Sequence, residues 1–220
     1  MRKGLLRSGA DELALLDITA TVEGRKTMLE VVSRASEAAT VPFTVGGGIR
    51  DVASAKEVLD AGADKISTSS AAFRNPDVIK EMVDAFGKDK VTVAIDVDRN
   101  ESMPSGYEVF IDGGRTPTGQ DAIEWARKVE GFGVGCILPT SKATDGAKTG
   151  YDLDLIRQIS DFATVPVVAS GGAGKMEHFY EAAQAGASIL LAASVFHFGM
   201  IKIPELKKHL RDKGLKVAGK

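Results

Sequence analysis

The sequence is poor in the residues that staple, span or bind metal. Its 220 residues include one cysteine, Cys136. No disulfide can form within the chain, which fits a reducing compartment, and a cytoplasmic location is expected. There are three histidines. Neither His178 nor His197 has the company a metal ligand keeps, and both read as structural. Trp125 and Phe132 read as helix-packing residues. No apolar run approaches the ~18 residues of a membrane span. The opening Met1-Arg2-Lys3-Gly4-Leu5-Leu6 holds too little apolar sequence for a signal peptide. A surplus of one charge is also missing: 28 Lys and Arg stand against 30 Asp and Glu. That argues against nucleic-acid partners, and an anionic ligand must be held by local geometry instead of an overall field.

Glycine, by contrast, is plentiful: 24 of 220 residues, against a usual ~7%, and mostly at the ends of apolar runs. Those runs are 13–18, 41–45, 65–68, 91–95, 134–138, 165–169 and 189–193. Each is almost continuously apolar, as parallel strands covered on both faces are. Amphipathic segments at 26–38, 52–61, 76–86, 122–130, 153–162, 176–185 and 204–213 alternate with them. Asn75-Pro76 marks a helix start, and Gly62 and Gly186 mark helix ends. The stretch 107–115 alternates and ends in a Gly-Gly signal, so it reads as an inserted hairpin. The pattern predicts one α/β domain over 1–220. It is a (βα)8-type barrel with seven recognisable βα units.

A half-barrel repeat organises the chain. The block from Val41-Pro42 to Gly46-Gly47-Gly48 resembles the block from Val165-Pro166 to Ser170-Gly171-Gly172, at an offset of 124 (166 − 42). Gly62-Ala63 and Gly186-Ala187 keep the same offset (186 − 62). On this offset the counterpart of Asp96 falls ahead of Met1. Residues 1–7, closed by Ser8-Gly9, read as the tail of a helix. The expectation is a barrel without its first strand, short of about 30 residues. The strands on either side of the gap would have unpaired edges, and self-association through those edges is expected.

In such barrels the chemistry sits where strands end. Four strand ends carry small residues: Gly46-Gly47-Gly48, Ser69-Ser70-Ala71, Ser170-Gly171-Gly172 and Ala193-Ser194. Glycine lets a ligand approach the backbone, and helix starts offer free N–H groups. One Gly-Gly pair alone is as well explained by a tight turn. Two pairs at one offset, each joined to a serine-bearing strand end, point to a ligand with a phosphate at each end. Asp96 emerges from the apolar 91–95 run and suits general acid–base work; the plain alternative is a loop cap. Asp17 ends the first run. Asp145-Gly146 lies in the 142–150 loop, which reads equally as a closing loop or an ordinary turn. Glu12 and Lys65 flank strand starts on the opposite face, where a stabilising salt bridge is the default reading.

These residues resemble a known family. Asp17-Ile18-Thr19-Ala20, Arg25-Lys26-Thr27, Gly46-Gly47-Gly48-Ile49, Ala94-Ile95-Asp96, Asp145-Gly146, Ser170-Gly171-Gly172-Ala173-Gly174 and the run from Ala192 to His197 together resemble the cyclase-subunit family of imidazole glycerol phosphate synthases of histidine biosynthesis. The resemblance covers essentially the whole chain. It implies a lyase reaction. Ammonia from a glutaminase partner adds to a bis-phosphorylated ribulosyl aminoimidazole carboxamide ribonucleotide. Imidazole glycerol phosphate and an aminoimidazole carboxamide ribonucleotide result, without metal or redox cofactor. It implies Asp96 as one of two acid–base aspartates, the other lying on the strand expected to be absent. It implies one phosphate site at Gly48, Ser69 and Ser70. The second phosphate site would involve Asp145, Gly146, Gly172, Ala193 and Ser194, with Thr140 and Ser170 beside it, and an ammonia entrance would lie at Glu12 and Lys65. Three departures stand out. Ser69-Ser70 replaces the family's Asn-Thr or Asn-Ser, Ala143 replaces an aspartate, and Cys136 replaces a glutamate of the entrance. A barrel that binds phosphate without catalysis, and the related isomerase of the same pathway, are the alternative readings.

Overall fold

A computed structural model of the chain describes residues 9–17 and 29–219. The expected helix tail at 1–7 and the segment 18–28, which carries Ile18-Thr19-Ala20 and Arg25-Lys26-Thr27, lie outside the described residues.

Nine strands follow in order: β1 (Leu13–Leu16), β2 (Phe43–Gly46), β3 (Lys65–Thr68), β4 (Val91–Arg99), β5 (Tyr107–Ile111), β6 (Thr116–Asp121), β7 (Cys136–Ser141), β8 (Val168–Ala169) and β9 (Ile189–Leu190). Parallel ladders join β1 to β2, β2 to β3, β3 to β4 and β4 to β7. Bridges at Ile137–Val167 and Thr140–Ser170 carry the sheet on to β8, which pairs with β9. Seven parallel strands thus curl in chain order, with β5 and β6 added to β4 as an antiparallel hairpin. Among the described residues no ladder joins β9 to β1, so the barrel is open there.

The helices are α1 (Leu29–Ser36), α2 (Val52–Asp60), α3 (Ser70–Arg74), α4 (Asp77–Phe86), α5 (Ala122–Gly131), α6 (Leu153–Ser160), α7 (Met176–Gln184), α8 (Ser194–His197) and α9 (Ile203–Asp212). Their apolar residues recur at helical spacing and bury one stripe each. Val58, Ile79, Met82, Val129, Leu155 and Ile159 meet Val45, Ile66, Val93, Ile95 and Ile137 from the strands in one core. Trp125 belongs to that core and meets Phe73 edge-on at 5.1 Å, with Phe132 packed at its margin. A second core under the last units gathers Tyr151, Phe179, Ala182, Val195, Leu206 and Leu210.

Element boundaries differ from the sequence reading in places with physical causes. The Gly-Gly signal near 113 marks the middle of the hairpin, not its end. Asp112, Gly113 and Gly114 all have positive φ (58°, 64° and 76°), and the chain returns as β6. Pro117 and Gly119 are tolerated there because β6 pairs only with β5, an edge position that needs no further donors. The 165–169 run shortens to Val168–Ala169, since Pro166 has no N–H to offer a ladder. Two short helices, α3 and α8, went unread.

The repeat extends beyond the glycines. Gly62 and Gly186 have φ of 105° and 106°. A Cβ on either would collide with a serine, Ser36 for the first and Ser160 for the second, again 124 apart (160 − 36). The short helices begin at Ser70 and Ser194, also 124 apart (194 − 70).

Candidate active site

The C-terminal ends of the strands are built on turns that admit only glycine. Gly47 and Gly48 have φ of 101° and 73°, and Gly171 and Gly172 have 83° and 105°. A Cβ on Gly47 would run into the backbone of Asp17, and one on Gly172 into that of Gly150. Tight turning is therefore part of their role, whatever they bind. Behind each turn pair stands an uncapped helix start. Ser69 precedes α3 and Ala193 precedes α8, and neither makes a side-chain cap. By contrast α2 is fully capped, for Asp51 accepts from Ser54 N at 2.8 Å and Ser54 Oγ accepts from Asp51 N at 3.1 Å. Ser70 is buried, and its Oγ accepts from Asp112 N at 2.8 Å, which ties α3 to the hairpin. A recess lined by Gly48, Arg50, Asp51, Ser54 and Leu29 opens between the starts of α1 and α2, beside the first cradle instead of across the mouth.

Asp96 lies inside β4, opposite Thr140 of β7 on one side and Phe110 of β5 on the other. Thr140 is bridged in turn to Ser170, so Asp96, Thr140 and Ser170 form a row across three strands. Burial pushes the Asp96 carboxyl up to about 6, the nearby Asp145 charge adds to this, and Lys142 opposes it. A carboxyl titrating there can exchange a proton near neutral pH. Asp145 N donates to Ser141 O at 3.0 Å, which fixes the aspartate to the end of β7. Its side chain covers Gly171, where an added Cβ would lie 3.3 Å from Oδ1. Gly146 follows with φ of 75°. The 142–150 loop thus brings Asp145 to Asp96 and to the second glycine turn. Lys142 binds Asp98 at 3.3 Å and sits 3.7 Å from the centre of the Phe110 ring.

At the other end of the strands, Lys65 Nζ donates to both carboxylate oxygens of Glu12 at 3.0 Å. Cys136 opens β7 close by, and burial pushes its thiol up to about 11, with Glu12 adding and Lys65 opposing. His178 is buried, with Nδ1 accepting from Gly174 N at 3.1 Å. His197 is exposed and meets the Phe198 ring at 5.3 Å. Among the described residues no group of three His, Cys, Asp or Glu side chains could hold a metal, and no helix is long and apolar enough to cross a membrane.

The sequence reading missed a polar group at the base of the loop: Arg99, Tyr107 and Ser141 around Asp152. One signal was available. Asp152 directly precedes a helical stripe, as an N-cap should, and it does accept from Leu155 N at 3.3 Å.

The profile of the family described as "Histidine biosynthesis protein" matches residues 2–202. The imidazole glycerol phosphate synthase subunit HisF of Pyrobaculum aerophilum is 49% identical over 209 residues, which is 95% of this chain and 81% of that protein. The subunit of the same name from Clostridium botulinum is 50% identical over 212 residues, 96% of this chain and 83% of that protein. With its parallel strands, its paired glycine turns and these matches over nearly its whole length, the chain belongs to the histidine biosynthesis protein family.

Proposed function

We propose that this chain is the cyclase subunit of imidazole glycerol phosphate synthase, joining ammonia to a bis-phosphorylated ribulosyl aminoimidazole carboxamide ribonucleotide. The ribulosyl carbonyl oxygen leaves as water, and the other products are imidazole glycerol phosphate and an aminoimidazole carboxamide ribonucleotide. The observation that carries this reading is the placement of a partly buried carboxyl, Asp96, between two glycine-turn cradles related by the 124-residue repeat (172 − 48). Burial, which pushes its carboxyl up to about 6, supports an acid–base role near neutral pH. As base Asp96 takes a proton from the adding nitrogen. The second acid–base aspartate that the resemblance implies, expected on the first strand, would protonate the nitrogen that leaves when the ribonucleotide is cleaved off.

Gly48, Ser69 and Ser70 would hold one phosphate through backbone N–H and hydroxyl donors. Gly146, Gly172, Ala193 and Ser194 would hold the other, with Thr140 and Ser170 lining the floor. Asp145, an anion, fits contact with ligand hydroxyls better than with phosphate itself. At the opposite face a glutaminase subunit would deliver ammonia past the Glu12–Lys65 pair. Cys136 lies close to that pair, and burial keeps its thiol neutral there.

A steady-state assay with ammonium salt and the bis-phosphorylated substrate tests the reading. Wild-type turnover that falls about 100-fold or more in Asp96→Asn supports it. Phosphate-ligand binding with no turnover at any enzyme concentration would instead make the chain a binding barrel.

A further inference from the structure

We propose that Asp152 is a positioning residue: buried among Tyr107, Ser141 and Arg99, its carboxylate clamps the neck of the 142–150 loop and holds Asp145 against Asp96. This rests on the acid–base reading of Asp96 given above. The Asp152 side chain is 4% exposed, a costly place for a charge unless donors surround it. They do. Tyr107 Oη donates at 2.7 Å, Ser141 Oγ at 3.0 Å, Leu155 N at 3.3 Å and Arg99 Nη2 at 3.3 Å. Only one of the four comes from the helix that Asp152 caps.

The positions of the other three matter. Ser141 ends β7 and Asp152 begins α6, so their bond closes the intervening loop at its base. The Ser141 carbonyl accepts from Asp145 N at 3.0 Å and Thr144 N at 3.2 Å. Asp152 is therefore one residue removed from the backbone that carries Asp145. The far end of the loop is pinned by Gly150 N donating to Gly172 O at 2.9 Å. On the opposite side, Tyr107 is wholly buried and opposes Arg99 in the β4–β5 ladder, three residues along from the Asp96–Phe110 pair. Arg99 also lies over the Tyr107 ring at 5.0 Å. The clamp thus joins the strand that carries Asp96 to the loop that carries Asp145.

Among the described residues, the charges that act on Asp96 come from that loop, with a further pair at the end of its own strand. Asp145 and Lys142 face it from the loop, and Asp98 follows on β4, paired with Lys142. On β5, Glu108 opposes Asp98, while Phe110 opposes Asp96 itself. On β7 the opposing residue is Thr140, and the end of β3 offers only Ser67 and Thr68, all uncharged. Loosening the loop would let Asp145 withdraw from Asp96 and lower that carboxyl's proton affinity.

Tyr107→Phe tests this with little change of shape, and Asp152→Asn is the stronger companion. The readouts are carbon-13 NMR titration of the Asp96 carboxyl, hydrogen exchange of residues 142–150, and the acid limb of kcat/KM. Expected in Tyr107→Phe are a downward move of the Asp96 midpoint by about half a unit or more and roughly tenfold faster loop exchange. Ile79→Val, which thins the core under α4, should move neither. If the wild-type chain lacks turnover while Asp96 and the loop respond as stated, the functional reading falls and the clamp stands. If the midpoint and the loop exchange are unchanged in Tyr107→Phe, the clamp is overturned whatever the activity.

Discussion

Asp96 is the residue on which chemistry and stability meet. Its carboxyl is raised from 3.8 to about 6 in the folded chain, burial being the first cause and Asp145 the second. The folded state therefore binds the proton more tightly than the unfolded state. Stability is highest while both states are protonated, below about 4, and is lost as pH rises through 6. The gap corresponds to about 3 kcal/mol at most. Asp96→Asn should thus unfold at higher denaturant than wild type at pH 8 and show no such advantage at pH 4, while losing turnover. Equal midpoints at pH 8 would mean that Asp96 is not desolvated as the geometry requires. Cys136 gives a second check at this scale. Burial pushes its thiol up to about 11, and the thiolate is the reactive form. A thiol reagent at pH 8 should label the folded chain at least 100 times more slowly than the chain in denaturant. Rapid labelling of the native protein would place water around the base of β7.

At the scale of elements, the parallel strands could be read because each is a short apolar run, and four of them close on glycine or serine. The repeat could be read because Pro42 and Pro166 punctuate equivalent strands. What escaped was local or long-range. Helices α3 and α8 are too short to show a period. The extent of the hairpin was hidden because Pro117 and Gly119 look like loop residues until an edge position admits them. The Asp152 group could not be read at all beyond its cap, since Arg99, Tyr107, Ser141 and Asp152 are far apart in sequence and meet only through the β4–β5 ladder and the 142–150 loop. In the candidate site, the glycine turns were legible and the place of Lys142 beside Asp96 was not. That lysine opposes the rise in the Asp96 carboxyl, so Lys142→Met should move the acid limb of kcat/KM upward by about half a unit. An unmoved limb would show that Lys142 is absorbed by Asp98. The repeat has its own test in Gly186→Ala. With φ of 106° and the Ser160 side chain in the way, alanine should cost about 1–3 kcal/mol in denaturant unfolding. Gly87→Ala, with φ of 86° and open space around it, should cost less.

The molecule as a whole is uneven, and the unevenness lies at one seam. All four residues of β2 are buried, whereas none of β1 or β9 is. Leu13 N donates to Pro42 O, just ahead of β2, at 2.9 Å, and Asp17 N to Gly46 O at 2.8 Å, so the alternation of a parallel ladder turns the Ala14 and Leu16 N–H groups the other way. Along β9, Ile189 N donates to Val167 O at 3.2 Å and the next residue past the strand, Leu191, donates through N to Ala169 O at 2.9 Å, which leaves Leu190 N–H facing outward. The three large apolar side chains most exposed among the described residues are Leu16, Phe198 and Met200, at 36%, 72% and 52%. Leu16 lies on the open edge of β1, and Phe198 and Met200 lie on the chain that follows β9. Unpaired strand edges beside exposed apolar side chains are templates for pairing with another chain. A monomer of 23.2 kDa should therefore give way to heavier species as concentration rises in light scattering. Leu16→Lys places a charge on the edge, a common means of blocking such pairing, and should return the mass toward the monomer. A wild-type mass that stays at the monomer value from micromolar to near-millimolar concentration would show that the two edges are satisfied within one chain.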